Sequence, residues 1–286
     1  MKKLYTSDKK RFLAYHKQTG SKNKAPYIIF LHGLMSNMNG HKALATAQYC
    51  QKQGYNFIRF DNFGNGSSSG EFIDQTISDW VLGINLVIQE LTEGPVLLIG
   101  SSMGAWLALI AAKLHPEKVI GVVTLAAAVD FTKELIWDKF TNAEKDIIKK
   151  QGIYDVCSNN PECNESYPIS YNLIEDSKKY LMLNGLSKAD INICCPLHLI
   201  HGMQDIDVPY NISLRVAERV ESQKVVVKLI KDANHRLSRE EDLLILYNSI
   251  EELLKSIESY RLFVFFDRKK LKSISNKYLC AISKGH

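Results

Sequence analysis

A chain of 286 residues with 45% hydrophobic residues can bury one large core. Its net charge of +5 sits at the ends: residues 1–24 carry eight Lys/Arg and one Asp, residues 261–286 seven and one, and the body between holds 21 basic and 29 acidic residues. An acidic body with basic ends excludes a nucleic-acid groove, and no window approaches the ~20 apolar residues of a membrane span.

The basic start Met1–Tyr5 is not followed by the apolar run of a signal peptide. None of the six cysteines has CxxC spacing. They read as reduced thiols of a cytoplasmic protein, with no zinc site.

The first regular element is the alternating stretch Arg11–His16, expected as an antiparallel edge strand. Tyr27–His32 is a continuous apolar run, as in a parallel strand buried on both faces, and it ends at His32-Gly33-Leu34. A helix over about 42–52 leads to a strand at Asn56–Phe60 and a turn-rich loop, Asp61–Gly70. A second helix over about 76–91 precedes the apolar run Val96–Ile99. After it come Gly100-Ser101-Ser102-Met103-Gly104 and the apolar segment Ala105–Ala112.

A Gly-x-Ser-x-Gly pattern between strand and helix is a nucleophile-elbow pattern. The turn lifts the Ser102 hydroxyl out of the sheet edge. The glycines let helix and strand approach, and the helix start points unpaired N–H groups at the same spot.

Ile120–Leu125 is the next strand. Between Asp130 and Asp190 the rhythm breaks: helices near 133–140 and 143–150, then a Pro/Asn/Cys-containing stretch, with no convincing strand. We read a lid inserted over the sheet edge, dividing a core of residues 10–129 and 191–260. Its apolar residues Phe131, Leu135, Trp137, Phe140 and Tyr167 are candidates for an acyl pocket, with lid packing as their competing role. Pro196–Gly202 resumes the sheet and Val225–Ile230 closes it. Ser238-Arg239-Glu240-Glu241 is a capping box for a helix to about Ser259, whose buried stripe is Leu243, Leu246, Ile250, Leu253 and Ile257. The basic tail 261–286 contains Leu262–Phe266, a run short of a span, for which weak membrane-surface contact competes with packing or disorder.

A serine needs a base, and the base an acid, in chain order Ser, Asp/Glu, His. His198 and His201 lie within a strand and read as satisfied core residues; His115 ends the elbow helix and points away. His235 follows the last strand, where a base belongs. Asp205, three residues after Gly202, is the preferred acid. Asp207 reads as a cap for the next helix, and Asp130 as a helix cap and weaker alternative. The N–H groups of Met103 and Leu34 would hold an oxyanion.

Over about residues 10–258 these features resemble the α/β-hydrolase superfamily: His32-Gly33, Asp61–Gly70, Gly100–Gly104, Gly202-x-x-Asp205-x-x-Val208-Pro209 and Asn234-His235. Asp130–Trp137, Tyr167-Pro168-Ile169, Leu173–Asp176 and His235–Ser238 resemble the group of mitochondrial palmitoyl-protein thioesterases that also cleave acyl glucuronides, and its proteobacterial relatives. Asn65 departs from the superfamily, many of whose members have His there. The resemblance implies an α/β fold with a mostly parallel sheet. It also implies hydrolysis of a small-molecule acyl ester or thioester, without cofactor or metal. A haloalkane-dehalogenase reading fails, because Ser102 stands where that branch needs a carboxylate. The alternative is a non-catalytic binding or interaction protein on the same scaffold.

Overall fold

The computed structural model describes residues 1–22, 25–157, 166–184 and 190–257. Its centre is an eight-stranded sheet formed by β1 (Lys2–Tyr5), β2 (Phe12–Gln18), β3 (Tyr27–Leu31), β4 (Asn56–Phe60), β5 (Val96–Ser101), β6 (Val119–Leu125), β9 (Leu197–Gly202) and β10 (Val225–Ile230), in the order β1-β2-β4-β3-β5-β6-β9-β10. The pairs from β4 to β10 are parallel, whereas β2 runs antiparallel to β4 and β1 antiparallel to β2. The expectation of β2 as the edge is thus corrected: Lys2–Tyr5 pairs outside it. Three of its four residues are exposed, so burial leaves little alternating signal in that stretch.

The helices are α1 (His41–Gln53), α2 (Ile77–Leu91), α3 (Met103–Leu114), α4 (Asn142–Gln151), α5 (Tyr171–Ser177), α6 (Asn211–Arg219) and α7 (240–257). Every residue of β5 is buried, as are ten of the twelve in α3. Apolar surface covers both faces of the sheet: α2 and α3 pack on one face with Trp80 and Trp106 fully buried, and α1 and α7 on the other. α2 opens with a full capping box between Thr76 and Asp79. α7 begins one residue later than its sequence suggests, because the Asp242 carboxylate meets the Arg239 N–H, where the expected box had Glu241 meeting the Ser238 N–H. Of the expected stripe, Leu243, Leu246, Ile250 and Leu253 are buried and Ile257 is half-buried at the helix end.

Between β6 and β9 the chain leaves the sheet. It forms a π-helical turn at Thr132–Trp137, then α4, an antiparallel pair β7 (Ile153–Cys157) and β8 (Ser166–Ser170), and α5. The two strands contradict the all-helical expectation. Tyr154, Val156, Tyr167 and Ile169 pack an alternating face on the main core, but Pro168 and the short length mask that pattern in sequence. The segment is bound to the sheet core in several places. The Asp176 carboxylate accepts from the N–H and hydroxyl of Ser78 in the first turn of α2 (2.7 and 2.8 Å), a position that suits an anion. Asp130, fully buried, accepts the N–H groups of Met182 and Leu183 (2.9 and 2.7 Å), and Arg215 of α6 grips Glu134 through both oxygens. No helix among the described residues is long and apolar enough to cross a membrane. The tail 261–286 and the expected helix end at Ser259 lie outside the described residues.

Candidate active site

Ser102 lies at the corner between β5 and α3 with φ +57° and ψ −121°, in a region that costs a non-glycine residue about 1–3 kcal/mol. Its surroundings enforce that geometry. A Cβ on Gly100 would lie 2.3 Å from the Gly104 carbonyl oxygen, and one on Gly104 would lie 2.3 and 2.5 Å from the oxygens of Leu31 and His32. The glycines therefore permit backbone-to-backbone contact of α3 with β5 on one side and β3 on the other. The Ser102 N–H donates to Leu125 across the sheet edge (2.8 Å).

His235 and Asp205 converge on this corner from the ends of β10 and β9. His235 Nε2 lies 3.1 Å from Ser102 Oγ, and its Nδ1 lies 2.7 Å from Asp205 Oδ2. Gly202 matters for a reason the sequence did not supply. Its backbone is not in the left-handed region; a Cβ there would lie 2.3 Å from the Ala233 oxygen, so its bare Cα admits the loop carrying His235. The N–H groups of Met203 and Gln204 then stitch the two loops together through Ile230 and Ala233.

Asp205 is the most heavily bonded carboxylate of the site. Oδ1 accepts the N–H groups of Asp207 and Val208 (3.0 and 2.8 Å), while Oδ2 faces both His235 and His201 (3.1 Å to the latter). Burial by itself would raise its pKa, but the bonds from His201 and His235 outweigh it and hold the carboxyl well below the ordinary carboxylate range. His201, fully buried, is the part that sequence reasoning undervalued. Its Nε2 lies between Asp205 Oδ2 and the Val208 carbonyl (2.9 Å), two acceptors, so Nε2 carries the proton and Nδ1 accepts from Ser213 Oγ (2.7 Å). The reading of His201 as a satisfied core residue holds, yet one of its partners is Asp205. Its position four residues before Asp205 was the available signal.

The other candidates divide. The sheet does not bring Asp130 to His235; its carboxylate is spent on Met182 and Leu183. Burial pushes that carboxyl up to about 6, against the lowering effect of those two N–H bonds. Asp207 does not cap α6, which starts at Asn211 after Tyr210; it lines the cavity instead. The backbone turns around the Asp205 carboxylate before the helix can begin. Asp205, Asp207 and His235 bring possible metal-ligating atoms within 4.8 Å of one another, but His235 Nδ1 and Asp205 Oδ2 are already committed to each other.

Leu34 and Met103 flank Ser102 in the wall of a cavity of about 920 Å³ that also contains His235. Among the described residues neither backbone N–H has an acceptor. His32 fixes the orientation of the first. Its Nε2 accepts the Asn62 N–H (3.0 Å), so Nδ1–H donates to the Gly33 carbonyl (2.8 Å), which belongs to the same rigid peptide plane as the Leu34 N–H. Phe131, Leu135, Phe140 and Tyr167 line the cavity. Trp137 does not, which corrects that expectation. Half-buried, it packs against the main core and tilts against Tyr171 (6.0 Å), with the Lys145 and Lys149 ammonium groups over its ring. Trp137 is two residues beyond Leu135, and positions i and i+2 of a helical turn already face different ways.

Known proteins are similar to this chain in sequence and fold. The family described as serine aminopeptidase, S33 matches residues 22–242. The mitochondrial palmitoyl-protein thioesterase ABHD10 of Bos taurus is 36% identical over 247 residues, 86% of this chain and 78% of that protein, and the Homo sapiens protein has the same identity and coverage. Among solved structures, α/β hydrolase domain-containing protein 10 from mouse superposes with a TM-score of 0.81 at 34% identity, covering 90% of this chain and 98% of that one. A putative hydrolase from Agrobacterium vitis S4 gives 0.81 at 31% identity, covering 88% and 97%. With this coverage, sheet order and elbow, the chain belongs to the α/β-hydrolase superfamily, within the serine aminopeptidase S33 family and alongside the ABHD10 thioesterases.

Proposed function

We propose that the protein is a serine hydrolase cleaving acyl esters or thioesters, with Ser102 as nucleophile, His235 as base and Asp205 as the acid that orients it. The observation that carries this reading is the unbroken chain of contacts from Ser102 Oγ through both ring nitrogens of His235 to Asp205 Oδ2. The acidic residue keeps the proton on Nδ1, which leaves Nε2 bare to accept the serine proton. Attack on the carbonyl carbon breaks its π bond and places the electron pair on oxygen, where the N–H groups of Leu34 and Met103 receive it. His235 then gives its proton to the departing alcohol or thiol. Water, deprotonated by the same nitrogen, releases the acid and restores Ser102.

Residues 130–190 act in this reading as a lid on the core of residues 10–129 and 191–260, and Phe131, Leu135, Phe140 and Tyr167 face the acyl chain. The relatives are named palmitoyl-protein thioesterases, so long-chain thioesters are the first substrates to try. The free thiols Cys50, Cys194 and Cys195 suit a reducing compartment; we place the protein in the cytoplasm, although the mammalian relatives are named mitochondrial. The test is covalent labelling by a fluorophosphonate, followed by turnover of p-nitrophenyl ester and acyl-CoA series. Wild type should label and turn over, and Ser102→Ala should do neither while remaining folded. Residual activity above a trace in Ser102→Ala, or no labelling of wild type, refutes the reading.

A further inference from the structure

Lys42 is the second residue of α1, and nothing local rewards a lysine there. The helix has Gly40 as N-cap, no side-chain cap and no acidic residue in its first turn. An ammonium at that end meets the positive pole of the helix. The side chain is half-buried in the wall of the cavity that contains Ser102 and His235. Among the described residues its hydrogen-bond partner is the Arg236 carbonyl, one residue beyond His235.

That turn is also held before Arg236, by His235 Nδ1 on Asp205 and by the Gln204 N–H on the Ala233 carbonyl. Asn234 Oδ1 accepts the Arg236 N–H (3.0 Å), and Leu237 sits at φ +43° with its side chain buried. The Arg236 N–H and the His235 carbonyl share one peptide plane; the Arg236 carbonyl begins the next. Lys42 therefore holds the plane that Asn234 does not. α1 is also the direct continuation of the segment 32–40, which carries Leu34 and is tied down where Asp61 accepts the Met38 N–H (2.6 Å). A single ammonium thus joins the two chain segments that flank Ser102.

We propose that Lys42 is a positioning residue, which by donating to the Arg236 carbonyl locks the turn bearing His235 onto α1 and keeps His235 Nε2 in reach of Ser102. This inference rests on the reading of Ser102 and His235 as nucleophile and base. A lysine that opposes the helix pole and gives up solvent is a local cost accepted for the site. Burial, helped by the Arg236 guanidinium, brings the ammonium down to about 8 against the upward pull of Asp242 from α7 and Asp205 from the acid loop.

A structural staple and a positioning residue differ in sign. The turn is near solvent, and Arg236 is exposed, so water can replace the ammonium at the carbonyl. Lys42→Met should therefore leave the melting temperature unchanged or raise it. Its fluorophosphonate labelling rate and kcat on p-nitrophenyl butyrate should fall roughly 10- to 100-fold, with KM within about threefold, as expected for a misplaced base. Lys42→Arg should recover most of the rate. With this uncharged substrate, wild-type kcat should decline above about pH 8 as the ammonium loses its charge, and Lys42→Arg should not show that decline.

Full activity in Lys42→Met overturns the proposal. So does a loss of rate that follows a lowered melting temperature and is not recovered by Lys42→Arg. If Lys42→Met does not fold, the pH profiles decide: a wild-type profile without the basic limb, or the same limb in Lys42→Arg, overturns it. Ser102→Ala run alongside separates the two readings, because its failure to lose labelling sinks the site assignment, whereas an active Lys42→Met sinks only the role of Lys42.

Discussion

Replacing Asp205 by asparagine probes the most densely bonded group of the site. Its carboxylate takes four N–H donors, two from backbone on Oδ1 and two from histidines on Oδ2. Asparagine offers one oxygen, so its NH₂ must face one of those pairs. If it faces the backbone pair, two N–H groups that cannot change tautomer are left opposed to it. If it faces the histidines, His235 can move its proton to Nε2, but that nitrogen then donates towards Ser102 and can no longer accept. His201 has no such escape, because its Nε2 also faces the Val208 carbonyl. Two charge-assisted bonds are therefore weakened or lost, at about 1–2 kcal/mol each, or about 2–4 kcal/mol of stability. Turnover should fall about 10⁴-fold from the wrong tautomer and the lost imidazolium stabilisation.

The pH dependence has a definite sign. The folded-state pKa of Asp205 is depressed, so its contribution is complete above the ordinary carboxylate value of about 3.9 and is lost as pH falls through that value towards the lower folded one. Urea unfolding should show wild type and Asp205→Asn furthest apart at neutral pH and converging below about pH 4. Single-turnover kinetics on p-nitrophenyl butyrate supply the rate. A kcat within tenfold of wild type, or an equal loss in Asp207→Asn, would falsify the assignment of the acid. A stability difference that ignores pH would refute the electrostatic argument.

Three other outcomes are expected. Leu135→Trp, which narrows the cavity wall, should cut kcat/KM on dodecanoyl and longer esters by at least about tenfold while sparing acetate esters, whereas Trp137→Ala should lower the melting temperature without changing chain-length preference; equal effects across the series from Leu135→Trp would remove that side chain from the acyl pocket. Asp130 is raised to about 6 in the fold, so its ionisation costs stability as pH rises from about 3.9 through 6. Asp130→Asn keeps an acceptor for Met182 and Leu183, and its unfolding free energy relative to wild type should improve by about 1–3 kcal/mol between pH 4 and pH 7.5. Gly104→Ala places a Cβ 2.3 Å from the Leu31 oxygen and should lower stability by at least about 2 kcal/mol together with labelling; a wild-type melting temperature would show that α3 can move away from β3 at no cost.

Local signals in the sequence determined much of this protein. Continuous apolar runs marked β3 and β5, because a strand buried on both faces cannot hide its composition. The Gly100–Gly104 pattern marked the elbow, and strand ends followed by Asp205 and His235 marked the loops that meet it. Each of those inferences needs only near neighbours in the chain. What required the tertiary structure were relations between distant segments. That Gly202 makes room for Ala233 and that Lys42 reaches Arg236 depend on contacts across tens to nearly two hundred residues, and that His201 donates to Asp205, four residues on, depends on how the loop after β9 folds back. The pair β7–β8 was hidden because its short strands carry little periodic signal, whereas the separation of Trp137 from Leu135 follows from their i, i+2 spacing. Asp207 looks like a cap beside Val208-Pro209, but the Asp205 carboxylate organises the backbone there first. Sequence patterns specify which residues sit at the sheet edge. Which of them touch is decided by packing, since the backbone can bring two loops together only where a missing Cβ or a buried donor makes the approach favourable.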